Sequence, residues 1–228
     1  MTQFTEVIRE IERVSADIAK QASKFQAAIL ADVCGRRGTM SARVAPVHER
    51  MALSGPAFTV EVRPGDNLMI HAAIALAQPG DILVIDGKGD QTSALMGTLM
   101  LSACKQKGLG GVVVDGVIRD KLEILDLGFP VFSAGFNPAG PTKYIPGRIN
   151  HPISAGGTTV HPGDLIVADA DGVVVIERAK ASEILALAAR KEADEAMRMQ
   201  AISQGDIASA WLPAALQAAG VLKAGESL

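Results

Sequence analysis

The sequence predicts an α/β domain built on a parallel sheet. An alternating, half-buried strand is predicted at residues 57–63 and apolar strands at 82–86 and 111–115, and helical segments at 67–78 and 94–107 lie between them. This β-α-β-α-β order, with Gly or Pro at the junctions, is typical of a parallel sheet covered by helices. The strands at 82–86 and 111–115 are apolar almost throughout, so we expect them to be buried on both faces.

The elements before the sheet are predicted to be helical. Apolar residues recur at helical spacing from Phe4 to Ile18, which predicts an amphipathic first helix. A second short helix is predicted from Lys24 to Cys34 and ends at Gly35. Asp66 is placed to cap the helix at 67–78.

The last third of the chain changes from alternating elements to a hairpin and helices. A helix at about 119–126 and the short strand FPVF complete the alternating part. Strands at 160–168 and 172–177 are joined by a turn-rich connection, which suggests a hairpin. A long helix is predicted at 179–204, and a final helix carries Trp211 and Leu216. No low-complexity linker divides residues 1–228, so we predict one domain with a core at about 25–180 and a C-terminal helical extension at about 179–228.

Composition excludes several classes of function. The net charge is −3, and the densest basic cluster, Gly35 to Gly38, is too short for a nucleic-acid footprint. The N-terminus has no basic region followed by an apolar run, as a signal peptide would. The longest mostly apolar segment, Ala208 to Leu222, is interrupted by Pro213 and is too short to span a bilayer. We therefore expect a cytoplasmic protein that binds neither nucleic acid nor membrane.

An Arg-Asp pair, Arg119 and Asp120, follows the apolar strand that ends at Asp115. Ligands of open α/β sheets collect beyond the carboxyl ends of strands. Adjacent residues point in different directions, so we do not expect this pair to neutralise itself. Asp120 and Glu123 are three residues apart on one helical face, a spacing that suits Mg²⁺. The alternative is a capping box, in which Asp120 and Glu123 only start a helix.

The loop GKGDQTSALMG, Gly87 to Gly97, connects a predicted strand to a helix. Its glycines let the backbone approach a ligand, and N–H groups at a helix start bind anions. No GK[ST] closes the loop, and Thr92 stands where GxGxxG needs its third glycine, so a carboxylate suits it as well as a phosphate. An ordinary βα loop is the alternative. His71 has apolar neighbours and is interpreted as a packed or capping residue.

Several segments together resemble the RraA-like group over roughly residues 25 to 180. They are PGDNLMIHAAIALAQPGDILVIDGKGD, ALMGTLM, GVVVDGVIRD, GFPVF and PGDLIVADADGVVVI. The group includes 4-hydroxy-4-methyl-2-oxoglutarate/4-carboxy-4-hydroxy-2-oxoadipate aldolases, which also decarboxylate oxaloacetate, and the regulator of ribonuclease E activity. The resemblance implies an α/β/α sandwich of the swivelling β/β/α type, assembled as homotrimers or homohexamers with sites at subunit boundaries.

The resemblance also implies roles for individual residues. It implies that Asp120 ligates Mg²⁺ or Mn²⁺ and that Arg119 contacts the keto or enolate oxygen of a small 2-oxo acid. Backbone N–H groups of the segment Ala94, Leu95, Met96 and Gly97 would hold the carboxylate of pyruvate. Asp32 matches an acidic position close to the site, and Glu195 or Glu192 would come from a neighbouring subunit.

One position departs from the aldolase pattern. The aldolases carry an acidic residue directly after the glycine of the ALxG segment, and this chain has Thr98 there. The regulator branch typically loses the aspartate of the Arg-Asp pair, whereas this chain keeps Asp120. The sequence therefore favours a metal-dependent lyase that releases pyruvate, with oxaloacetate decarboxylation less affected by Thr98 than aldol cleavage. The alternative is a non-catalytic trimeric binding protein of the ribonuclease E regulator type.

Overall fold

A computed structural model describes residues 7–223 and residue 226, and it divides into two compact units, Met1–Ala188 and Ala189–Leu228. The assignment of residues 1–228 to a single domain stays a prediction. The strands are β1 (Ala45–Pro46), β2 (Leu53–Glu61), β3 (Ile82–Asp90), β4 (Gly111–Gly116), β5 (Val131–Ser133), β6 (Arg148–Ile149), β7 (Ile153–Ala155), β8 (Thr158–Val160), β9 (Leu165–Asp169) and β10 (Gly172–Ile176). The α-helices are α1 (Ala16–Ala22), α2 (Ala27–Val33), α3 (Leu68–Leu76), α4 (Thr98–Gln106), α5 (Lys121–Leu127), α6 (Ala181–Ser203) and α7 (Leu212–Ala218).

The main sheet has the order β1-β5-β4-β3-β2-β9-β10, and β6 also pairs with β2. Strands β2, β3, β4 and β5 are parallel neighbours, as the β-α-β-α-β pattern predicts. Strand β9 pairs antiparallel with β2, and β10 pairs antiparallel with β9 in the predicted hairpin. The α/β class is confirmed, and the sheet carries an antiparallel portion beside its parallel centre.

The segment 38–46 brings the two edges of this sheet together. At one edge, Gly38 O accepts from Val175 N at 2.8 Å and Met40 N donates to Val173 O at 2.9 Å. At the other edge, β1 pairs antiparallel with β5. The sheet is therefore nearly closed, and few of its edge N–H and C=O groups are left open to other chains.

The core follows from the apolar strands. All side chains of 82–85 and 112–114 are fully buried, so both faces of the parallel strands are covered. A second apolar cluster packs α1, α2 and the first two turns of α6 against β9 and β10. Leu165, Val167, Val174 and Ile176 are the strand members of that cluster.

The predicted N-terminal helix is wrong over residues 8–15, which are not helical. Ile8 N donates to Ile149 O and Val14 N donates to Gly163 O, both at 3.1 Å, so this stretch hydrogen-bonds to distant parts of the chain instead. The helix starts at Ala16, where Ser15 Oγ accepts from the backbone N–H of Ile18 at 3.2 Å. Phe4 lies outside the described residues.

The predicted strand at 160–168 is also divided. Val160 ends β8, and a turn at 161–164 separates it from β9, with Asp164 N donating to His161 O at 3.1 Å. The turn contains the tripeptide Pro-Gly-Asp at 162–164, which the predicted strand had included. No described helix combines the length and the apolar character that a membrane crossing needs.

Candidate active site

Two buried aspartates stand at the carboxyl ends of β3 and β4, and both are paired within the chain. Arg43 Nη2 contacts both carboxylate oxygens of Asp115, at 2.7 and 2.8 Å. Lys88 Nζ lies 2.6 Å from Asp86 Oδ2 and 2.9 Å from Glu61 Oε1. These ion pairs neutralise the strand ends, so Asp86 and Asp115 hold the local structure together instead of presenting free carboxylates.

The segment 94–97 is the next part of the site, and it is not yet helical. Ala94 N donates to Ala139 O at 2.8 Å, and Leu95 N donates to Val117 O at 2.9 Å. The Leu95 side chain is fully buried, and a Cβ on Gly87 would lie 2.6 Å from its Cδ1. These contacts delay the start of α4 to Thr98, four residues after the predicted start.

The backbone N–H groups of Met96 and Gly97 have no acceptor within residues 7–223. They lie directly before α4, where free N–H groups and the helix dipole favour an anion. All four of the predicted carboxylate-binding residues lie in this segment. However, the N–H groups of Ala94 and Leu95 are already bonded, so Met96 and Gly97 are the ones left for a ligand.

Arg119 and Asp120 lie against the same segment. Arg119 N donates to Met96 O at 3.0 Å, and Asp120 Oδ2 accepts from Thr98 N at 2.9 Å. Asp120 has a φ of 67°, an uncommon left-handed conformation for a residue other than glycine. Its side chain therefore caps the start of α4, although Asp120 itself precedes α5.

Two expectations about this pair are corrected. Arg119 Nε lies 3.8 Å from Asp120 Oδ1, so the neighbouring side chains do interact. The left-handed backbone of Asp120 turns its carboxylate away from α5, which it does not cap, and the capping box with Glu123 is absent. Glu123 is exposed in the first turn of α5.

A cavity of about 150 Å³ joins these parts. Its volume is below the range of about 300–1,000 Å³ typical of drug-sized ligands, so it suits a small metabolite. Besides the segment 94–97, Arg119 and Asp120, it is lined by Asn67, His71, Leu99, Met100, Pro141 and Lys143.

Asn67, His71 and Lys143 were not predicted to belong to the site. Asn67 is buried and donates from Nδ2 to Leu95 O at 3.0 Å, while its Oδ1 is buried and has no hydrogen-bond partner among the described residues. His71 is exposed and lines the cavity, so its interpretation as a packed residue is wrong. The spacing of Asn67 and His71, four residues apart at the start of α3, places them on one helical face and could have indicated a shared role.

Four predicted acidic residues do not line this cavity. Glu123 is on α5, and Asp32 is exposed in the last turn of α2. Glu195 belongs to the second unit, where its Oε1 pairs with Lys191 Nζ at 2.9 Å, and Glu192 is exposed on the same helix. Asp120 precedes α5 in a left-handed conformation, so the helical face that it was predicted to share with Glu123 does not exist. The roles predicted for these acidic residues stay predictions.

The residues of the cavity fit a hard divalent cation whose coordination shell is completed by waters and by oxygens of the substrate. Within residues 7–223 no group of three His, Cys, Asp or Glu side chains could hold a metal alone. Mg²⁺ typically needs only one or two carboxylates, with waters and substrate oxygens completing the shell. Asp120 supplies one such carboxylate, and its side chain is 37% exposed. A Cβ at position 97 would overlap this carboxylate, so glycine keeps the space open.

Comparison with known proteins gives the site a context. The model of the family described as RraA-like, Aldolase/RraA, matches residues 15–175. A Halalkalibacterium halodurans protein is 39% identical over 198 residues, covering 87% of this chain and 94% of its own, and its name proposes a 4-hydroxy-4-methyl-2-oxoglutarate aldolase. An Arabidopsis thaliana protein whose name proposes the same activity is 35% identical, covering 56% of this chain and 76% of its own.

A solved structure is similar over most of the chain. RraAS2 from Streptomyces coelicolor, described as an unusual member of the RNase ES inhibitor RraA protein family, has a TM-score of 0.77 and 30% sequence identity. The similarity covers 83% of this chain and 99% of that chain. Residues 15–175, which the family model matches, include the segments that carry Met96, Gly97, Arg119 and Asp120.

Proposed function

The chain belongs to the RraA-like family, and we propose that it is a divalent-metal-dependent lyase that cleaves a C–C bond of a 2-oxo acid to release pyruvate. One observation carries the proposal. Two free backbone N–H groups, a guanidinium and a carboxylate meet in one small cavity at the carboxyl end of the parallel strands. The specific activities proposed are 4-hydroxy-4-methyl-2-oxoglutarate/4-carboxy-4-hydroxy-2-oxoadipate aldol cleavage and oxaloacetate decarboxylation.

The carboxylate and keto groups of the substrate have separate partners in this arrangement. The N–H groups of Met96 and Gly97 bind the C1 carboxylate, and Arg119 faces the keto oxygen. As the C–C bond breaks, its electron pair moves toward that oxygen, and the guanidinium stabilises the developing enolate charge. Preorganised donors of this kind contribute about 10²–10³-fold each in known enzymes.

Asp120 would hold the cation, which would supply Lewis-acid stabilisation of the same developing charge. Arg119 and Thr98 N keep the Asp120 carboxylate in place, and Gly97 leaves room beside it. Aldol cleavage also needs a base for the distal hydroxyl, whereas decarboxylation of oxaloacetate releases CO₂ without one. Because Thr98 stands where the aldolases carry an acidic residue, oxaloacetate decarboxylation is the better first assay.

The test is pyruvate release from oxaloacetate, measured with Mg²⁺ and with excess chelator against a metal-only blank. We expect metal-dependent release by the wild type and a loss of about 100-fold or more in Asp120→Ala. Glu123→Ala is the matched control, because Glu123 lies three residues away but does not line the cavity. Equal losses in both variants would contradict the assignment of the cation to Asp120 alone.

A binding protein that inhibits a ribonuclease is the second candidate, favoured by the similarity to RraAS2. The thermal stability of the protein separates the two functions. A lyase site predicts that Mg²⁺ raises the unfolding temperature of the wild type but not of Asp120→Ala. No pyruvate release above the blank, together with no stabilisation by Mg²⁺, would favour the binding protein.

We further propose that the protein is a homo-oligomer, a trimer or hexamer. Large apolar side chains are exposed on the segments that carry the site: Leu99 is 89% exposed, Leu122 71% and Tyr144 82%. Contact with a second copy would remove them from water. The cytoplasmic location stays a prediction.

A further inference from the structure

The cavity has a second set of groups that the proposed reaction does not use. His71 on α3 and Lys143, in the loop between β5 and β6, line it together with the segment that binds the 2-oxo acid. Both side chains are exposed, and within the described residues neither has a hydrogen bond or an ion pair. By contrast, the cations Lys88 and Arg43 are paired with carboxylates.

The backbone on both sides of Lys143 is held by one buried carboxylate. Asp66 Oδ2 accepts from Thr142 Oγ1 at 2.6 Å, from Tyr144 N at 2.8 Å and from Ile145 N at 3.2 Å. Asp66 Oδ1 accepts from Leu68 N at 3.0 Å, at the start of the helix that carries His71. The loop and the helix are therefore tied together, which fixes where Lys143 and His71 emerge and lowers the ordering cost of binding a ligand.

We propose that Lys143, assisted by His71, binds the distal carboxylate of a dicarboxylic 2-oxo acid and so selects dicarboxylic over monocarboxylic substrates. This inference rests on the proposed function, which places the C1 carboxylate on Met96 and Gly97. The cavity would then bind one carboxylate at Met96 and Gly97 and the other at Lys143 and His71, all of which line it. A volume of about 150 Å³ limits the substrate to a short chain between them.

A neighbouring cavity is the alternative binding site for the distal carboxylate. It is lined by Arg119, Asp120, Lys121, Phe136, Asn137 and Pro138. Lys121 Nζ lies 5.0 Å from the centroid of the Phe136 ring, so this ammonium already has an aromatic partner. Met96 and Gly97 do not line this second cavity, which makes Lys121 a matched control for Lys143.

The test compares two ligands that share the 2-oxo acid end. 2-Oxoglutarate carries a distal carboxylate and lacks the 4-hydroxyl group needed for cleavage, and 2-oxobutanoate has no distal carboxylate. Their dissociation constants are measured by calorimetry with Mg²⁺ for the wild type, Lys143→Gln and Lys121→Gln. We expect Lys143→Gln to weaken 2-oxoglutarate binding by about tenfold and to leave 2-oxobutanoate within about twofold. Lys121→Gln should change neither, and His71→Gln should give a smaller loss in the same direction as Lys143→Gln.

The outcomes separate this inference from the proposed function. Unchanged 2-oxoglutarate binding in Lys143→Gln, with the wild type still releasing pyruvate from oxaloacetate, would overturn the inference and leave the lyase standing. Equal weakening of both ligands would also overturn it, because Lys143 would then act at the 2-oxo acid end. A loss in Lys121→Gln would place the distal carboxylate in the neighbouring cavity. If the wild type bound neither ligand and released no pyruvate, the lyase and this inference would fail together.

Discussion

The missing side chain of Gly97 is as important to the site as the charged groups beside it. An ideal Cβ there would overlap the Asp120 carboxylate and lie 3.1 Å from Arg119 Cγ. We expect Gly97→Ala to displace the pair and to reduce pyruvate release by about 100-fold, because small misplacements of catalytic groups have effects of that size. Gly140→Ala is the control, and we expect it to have a smaller effect. Its Cβ would contact only Nη1 at the flexible end of Arg119, at 3.1 Å.

Melting curves would show that both glycine variants fold. If Gly97→Ala kept wild-type pyruvate release, Arg119 and Asp120 would not need their present positions. If Gly140→Ala were equally inactive, the effect would come from the guanidinium and not from the space beside Asp120.

Asn67 and Asn150 are both buried, and comparing them separates the structural role of Asn67 from a role in ligand binding. Asn67 donates to Leu95 O at 3.0 Å, and Asn150 donates to Ile8 O at 2.8 Å. In both, Oδ1 is buried without a partner, but only Asn67 lines the cavity. We expect alanine at either position to lower the free energy of unfolding in urea by about 1–3 kcal/mol, because the partner carbonyl loses its donor.

Only Asn67→Ala should also reduce pyruvate release, because Asn67 lines the cavity and Asn150 does not. Assays well below the unfolding transition separate the two effects. Equal activity in the two alanine variants would make Asn67 a purely structural residue.

At this scale the sequence could identify Arg119 and Asp120, because they follow a buried strand directly. It offered only the spacing from His71 as a signal for Asn67, and it offered none for Lys143. An unpartnered acceptor and a free ammonium become visible only when distant segments are brought together. Residue spacing also could not predict the left-handed backbone of Asp120, which turns its carboxylate toward Thr98.

Among the elements, Asp66 joins α3 to the loop that carries Lys143. Burial alone would raise the pKa of Asp66, but hydrogen bonds from Thr142, Tyr144, Leu68 and Ile145 outweigh it and hold the pKa below its ordinary value. A carboxyl group with a lowered pKa in the folded state stabilises the fold above its ordinary pKa. That stabilisation is lost as the pH falls through the folded-state value.

We therefore expect Asp66→Asn to lower the free energy of unfolding by about 1–3 kcal/mol at pH 7, since charge-assisted hydrogen bonds are replaced by weaker ones. The difference from the wild type should shrink as the pH falls from the ordinary pKa of an aspartate toward the lowered folded-state value, because the unfolded wild-type chain takes up a proton first and the folded carboxylate follows. Urea unfolding at pH 7 and pH 3 measures both values. A difference that is the same at the two pH values would show that the charge of Asp66 contributes nothing.

The element boundaries show where local patterns are sufficient and where they are not. The capping prediction for Asp66 is displaced by one residue: Asn67 is the N-cap of α3, and Asp66, one residue before it, accepts from the N–H of Leu68, the first residue of the helix. The start of α4 was predicted four residues early, because Ala94 and Leu95 use their N–H groups on Ala139 and Val117. Long-range hydrogen bonds of this kind also override the helical spacing of residues 8–15.

For the whole molecule, the nearly closed sheet bears on which surface could mediate self-association. Segment 38–46 covers the sheet edges, and Arg43 on that segment ties it to buried Asp115. Open sheet edges are therefore a poor explanation for self-association. The exposed apolar side chains near the cavity are a better one, and burying each would contribute about 1.5–3 kcal/mol.

Leu99 provides the sharpest test of that assembly, because it is 89% exposed and lies beside the cavity. If a second copy covers it, Leu99→Glu would bury an unpaired charge at the contact, and the assembly should dissociate. Light scattering should then give the mass of one chain for the variant and of three or six chains for the wild type. Ile207→Glu is the control, because it introduces the same charge at an 80% exposed apolar position of the second unit. A wild-type mass of one chain, or an unchanged mass in Leu99→Glu, would show that these side chains are not the contact between copies.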